Sequence, residues 1–294
     1  MGVTIGVSLP RASEVTAVLM EPRSHDISAE KLERIRERLV AVVSALPGMS
    51  EPGPSLVIDV YKLGRALSCP DQCAGTEDEF HPNPALVRRA IGILALSRAV
   101  KRRPPMAPAD AVAELLAEVE DGSAIGDPAY GSGAFWWGPW YVSLDPWAKS
   151  VVLAEASRWA SAAWSAVDWQ VIGGVPSMGG YEWWDAPPNR RVALKGRADV
   201  VMRLGNGTAG RVGEHSSALV VCSGLPPGTW GVELAFPALV TGMRRGPRAL
   251  PGRVVGIWPE CGQVRVLDTD ETSLAGAASA ALSAAAAWSP GQGH

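Results

Sequence analysis

The sequence predicts an α/β protein, with a mainly helical N-terminal half packed on a small mixed sheet. Three observations carry this. Apolar residues recur at threes and fours through much of the first 122 residues. β-branched apolar runs, broken by Gly and turn signals, follow from residue 192. The 294 residues are 47% hydrophobic, enough for one large domain or two small ones with a sizeable core. The expected organisation is a helical region over 1–122, an aromatic Gly/Pro loop over 123–147 and a sheet-bearing core over 148–294.

Residues 1–27 read as irregular. Ser28 then fits an N-cap, and Leu32, Ile35, Leu39, Val42 and Leu46 form the stripe of a helix that Pro47-Gly48 stops. Leu56 to Tyr61 is a short strand or a helix entry. Asn83-Pro84 opens a helix to about Arg103, because Pro suits the first helical position. A further helix runs from Pro108 to Val119, closed by Gly122. Nine of the twelve Trp lie between 136 and 184. Phe135 to Tyr141 is either a stacking platform for a base or a sugar, or core filling. Ala148 to Asp168 is a helix with Val152, Ala156, Trp159, Ala163 and Ala166 on one stripe. Glu155 shares that stripe and needs a partner or the stripe's wet edge. Val192 to Leu204 is a strand with an expected kink at Gly196. Gly205-Asn206-Gly207 is a turn, and 218–221 a second strand. A helix over 232–245 and a strand over 253–258 complete a βαβ unit. Val264 to Val266 pairs behind Gly262, and 272–288 is an Ala-rich helix.

Composition excludes several classes. Charged residues are 19%, and Gly and Pro together are 56 of 294, below the roughly 25–30% that marks disorder. The net charge of −3 excludes a generally basic coat protein. From Asp185 to Arg265, however, eleven Lys/Arg face five Asp/Glu, a local net of +6 against −9 elsewhere. That asymmetry is either the footprint of an anionic partner or an ordinary fluctuation. There is no basic n-region before an apolar run and no apolar stretch of membrane-spanning length, so a cytoplasmic protein without a membrane partner is expected. Four scattered Cys do not read as a disulfide framework, and Cys69 and Cys73 fit no usual zinc spacing.

Gly196-Arg197-Ala198-Asp199, followed by Val200-Val201, is the most informative stretch. An Asp flanked by apolar residues is a buried acid in need of a partner. Two such acids with a Lys beside them would hold Mg²⁺ and activate water for phosphodiester cleavage. The order of elements from 148 to 258 resembles the PD-(D/E)XK nuclease core. Its RecB-type branch carries roughly G-R-x-D, a hairpin turn, D-x-K-T-G, then a helix with Q-x-x-x-Y. Gly196 to Asp199 matches the first motif, Val220 to Gly224 stands at the second, and Glu233 to Pro237 at the third. The resemblance covers about residues 146–290.

The resemblance implies a restriction-endonuclease-like core, a small mixed sheet flanked by helices, acting on DNA. It implies Asp199 as catalytic and metal acid, Glu155 as the first-helix acid and metal ligand, and Glu233 as a further acid, with Glu214 as an alternative. Two departures count against catalysis. Val220 stands where the second metal acid belongs and Cys222 where the Lys belongs; neither binds a hard cation or steadies phosphate charge. The four Cys do not match the iron–sulfur spacing of some RecB-type proteins and are expected to be buried thiols. Arg190, Arg191, Lys195 and Arg197, with Arg244 and Arg245, are candidate phosphate contacts or simply solvated positions. The expectation is a nucleic-acid-associated protein with an inactive nuclease domain, binding DNA or supporting a protein partner. The alternatives are an active Mg²⁺-dependent DNase using Asp199 with Glu155 or Glu233, and a protein-interaction module without nucleic acid.

Overall fold

The computed structural model describes residues 3–4, 11–46, 56–68, 84–124, 135–173, 181–187, 190–203 and 216–287. The chain is a mixed α/β protein with two small sheets. Strand β1 (Val3–Thr4) is followed by helices α1 (Ala12–Met20) and α2 (Ala29–Ala45). Ser28 caps α2 as its spacing predicts, its Oγ accepting from the Lys31 N–H. The buried stripe is Leu32, Ile35, Leu39 and Val43; Val42 is exposed, one position off the predicted face. The segment read as irregular contains α1, which buries Val15, Thr16 and Leu19. Leu56 to Tyr61 is both things the sequence allowed: β2 (Leu56–Asp59) runs directly into α3 (Val60–Ser68).

Helices α4 (Pro84–Lys101) and α5 (Pro108–Glu120) begin at their prolines. The expected aromatic loop is partly helical, with α6 at Gly138–Ser143. Phe135, Trp137 and Tyr141 are buried there and pack edge to face. They fill core and are no platform for a ligand. Helix α7 (Pro146–Ser165) starts at an Asp145 cap whose Oδ1 accepts from the Ala148 N–H at 2.8 Å. The short α8 (Trp169–Ile172) follows.

Strand β3 (Tyr181–Asp185), not foreseen, pairs antiparallel with β4 (Val192–Arg197), and β2 pairs parallel with β4 on its other side. The chain then leaves this sheet across Ala198-Asp199 and enters the second as β5 (Val200–Arg203). Strand β5 is antiparallel to β6 (Ser216–Val221). Helix α9 (Trp230–Arg245) carries the chain to β7 (Arg253–Trp258), parallel to β6, and β8 (Gln263–Asp268) returns antiparallel. The order of the second sheet is β1-β8-β7-β6-β5. Helix α10 (Glu271–Ala287) closes the chain. The Gly205 to Gly207 turn lies outside the described residues.

Gly196 does not kink its strand. A Cβ there would stand 2.9 Å from Val240 Cβ and 3.0 Å from Pro237 Cα. The glycine lets α9 lie directly on β4, and the break falls two residues later, where the chain changes sheets. The five-stranded sheet is covered on both faces. Leu219, Val221, Val255 and Ile257 join α4, α5 and α7 in one core, while Ala218, Val254 and Leu267 join α2, α9 and α10 in the other. Among the described residues no helix is long and apolar enough to cross a membrane.

Candidate functional site

The break between the sheets places Asp199 beside the C-terminal end of β6, with its side chain fully enclosed. Arg89 Nη2 donates to both carboxylate oxygens, at 3.0 and 2.8 Å, and its Nε donates to the Val221 carbonyl at 2.6 Å. Arg197 Nη2 donates to Oδ1 and the Val221 N–H to Oδ2 at 2.7 Å. A carboxylate offers about four acceptor sites, so every one here is engaged. The Asp199 backbone is tied as well, its N–H donating to the Leu219 carbonyl.

The other expected acids are held apart from it. Glu155, on α7, pairs with Arg88 at 3.1 Å. Arg88 also reaches Glu260 at 2.8 Å, and Glu260 accepts from the Gly224 N–H. The adjacent arginines of α4 thus serve two different acid clusters. Glu233 sits in the first turn of α9, accepts from Thr229 Oγ1 at 2.9 Å and has its carboxyl pushed up by burial. Cys222 is neutral: burial pushes its thiol up, and Asp199 and Glu233 add to that while Arg89 opposes it. Glu214, Cys69 and Cys73 lie outside the described residues.

These residues do not fit a hard divalent cation. Asp199 has no lone pair left, Val220 offers no ligand and Cys222 is an uncharged thiol. Among the described residues, no group of three or more His, Cys, Asp or Glu side chains is placed to hold a metal ion. The expected Asp199–Glu155 metal pair is replaced by Asp199–Arg89 and Glu155–Arg88.

The basic candidates divide. Arg191 and Arg197 are buried, so neither lies open to a phosphate. Arg190 is exposed and holds a positive φ of 57°. Arg244 and Arg245, in the last turn of α9, both pair with Glu182 of β3, at 2.9 and 2.5 Å. Arg253, at the start of β7, is buried against Asp268 and Glu21. Lys195 lies over the rings of Tyr181 and Trp183.

Sequence reasoning missed Arg88 and Arg89. Their signal was available: two cations inside the apolar run of α4 need partners. It also missed Tyr181 and Trp183, whose two-residue spacing marks one face of a strand. The chain matches no family model, no curated protein and no solved structure.

Proposed function

We propose that this chain is a nucleic-acid-associated protein built on a PD-(D/E)XK-type core whose hydrolytic centre has become a structural ion pair. It binds DNA without cleaving it, alone or in support of a partner. One observation carries the reading: the acid of G-R-x-D is saturated by Arg89, Arg197 and the Val221 N–H, beside Val220 and the half-buried Cys222. The strand directions support the nuclease-type core. A hairpin-like β5–β6 pair, the α9 crossover to a parallel β7 and the antiparallel β8 follow the order that the resemblance implies. Exposed Arg190 and half-buried Lys195, the cations of this region that reach the surface beside β4, support a polyanionic partner.

Gel-shift titration of linear DNA in the presence of EDTA tests the binding. The expected result is association without metal that weakens steeply as salt rises, because phosphate neutralisation releases counterions. Absence of binding even at low salt would overturn the reading.

A second reading, a protein-docking surface, is favoured by Trp147, which is 76% exposed at the start of α7 with Val151 one turn on and Val142 on α6. Its signature is association with a protein partner that salt does not weaken.

A further inference from the structure

Strand β3 is at the edge of its sheet, so one of its sides has no neighbouring strand among the described residues. Side chains alternate along a strand. Glu182 and Trp184 turn toward α9, the first pairing with Arg244 and Arg245, the second buried among α9 residues. Tyr181 and Trp183 take the opposite face and are 37% and 42% exposed. Burial of a core does not account for two large rings side by side on this outer face.

The rings are held in a charged setting. Lys195 is registered opposite Trp183, and its Nζ lies 4.1 Å from the Tyr181 ring centre and 4.9 Å from that of Trp183. The Arg197 guanidinium lies 5.3 Å from the Tyr181 ring centre, anchored by Asp199. The nearest acid on β2, Asp59, opposes Lys195 in register but is engaged as a cap, its Oδ1 accepting from the Lys62 N–H at 2.9 Å. Asp185 stands at the far end of β3. The Asp199 ion pair thus holds Arg197 against the Tyr181 ring of this exposed aromatic pair.

We propose that Tyr181 and Trp183 form a stacking platform for single-stranded nucleic acid, with Lys195 neutralising a phosphate. This rests on the nucleic-acid reading above and names its substrate class. Two chemical arguments select a single strand. Residues two apart on a strand are about 7 Å apart, roughly twice the 3.4 Å step of one duplex strand. Each ring therefore takes its own base from an unstacked chain. A duplex also hides the faces of its bases and shows only edges in its grooves. An exclusively apolar partner, by contrast, gains nothing from an ammonium set between the rings.

The test is fluorescence anisotropy with the full chain and three labelled probes: an oligothymidylate, an abasic phosphodiester of equal length and a duplex. The parent is expected to prefer the oligothymidylate. Trp183→Ile and Tyr181→Ile, which keep a strand-forming side chain, should each weaken its binding about tenfold. Affinity for the abasic probe should not change in these variants. Lys195→Gln should weaken oligothymidylate and abasic probe alike. Trp183→Phe keeps a ring, so it retains most of the affinity and separates lost stacking from lost folding. Unchanged oligothymidylate binding by both isoleucine variants, or a parent that prefers the duplex, overturns the platform while leaving the nucleic-acid reading intact. Failure of the parent to bind any probe overturns that reading, and the platform with it.

Discussion

Asp199 is enclosed and shared by two guanidiniums, so removing one partner strands a buried charge. Breaking such a pair costs about 3–5 kcal/mol. Arg89→Met should therefore lower the stability of the folded chain by about that amount, read as a shift of the denaturant midpoint. Glu233 behaves differently. Burial raises its carboxyl, so the folded chain holds this proton more tightly than the unfolded chain. Its contribution is most favourable below the ordinary glutamate range and is lost as pH rises through the raised folded value. Glu233→Gln keeps an acceptor for Thr229 and removes the charge. It should raise the denaturation temperature at neutral pH and leave it little changed in mild acid. Asp199 was legible as a buried acid from its apolar flanks. Its main partner was not, because Arg89 lies 110 residues away on helix α4, a pairing that no local pattern encodes.

At the scale of elements, close helix-on-strand approach sets the architecture. The α9–β4 contact depends on Gly196, where a Cβ would press on the backbone of Pro237 and on Val240. Gly196→Ala should destabilise by about 1–3 kcal/mol, the usual cost of overpacking. Gly276 is the control. It lies inside α10, and a Cβ there meets nothing within 4 Å. Gly276→Ala should stabilise by up to about 1 kcal/mol, the helix-propensity difference. Thermal unfolding of both variants beside the parent checks the pair. The long helices were legible because their caps and prolines coincide with an apolar period: Ser28, Pro84 and Pro108 all stand at starts. Helix α1 was not, since nine residues supply only two turns and a half of pattern. Strand β3 was hidden because its outward face is aromatic, which blurs the polar alternation of a half-buried strand. The sheet change at Ala198-Asp199 was read as a glycine kink because a strand's partner cannot be seen from its own residues.

At the scale of the molecule, the mixed α/β class and the run from β6 through α9 and β7 to β8 were legible, and the helices of the first half proved to contribute to both cores. Helix α4 both covers one face of the sheet and delivers Arg88 and Arg89 to the two acid clusters. On the proposed reading, this fold keeps the frame of a phosphodiesterase and has exchanged its chemistry for the Asp199 ion pair. Incubation of the purified chain with single- and double-stranded DNA, with Mg²⁺ or Mn²⁺ and with EDTA, tests it most directly, with Asp199→Asn run alongside. Intact DNA is expected under every condition for the parent, together with a variant whose only defect is a lower unfolding temperature. Metal-dependent cleavage by the parent, abolished by EDTA and absent from an Asp199→Asn chain that unfolds at the parent's temperature, would contradict it.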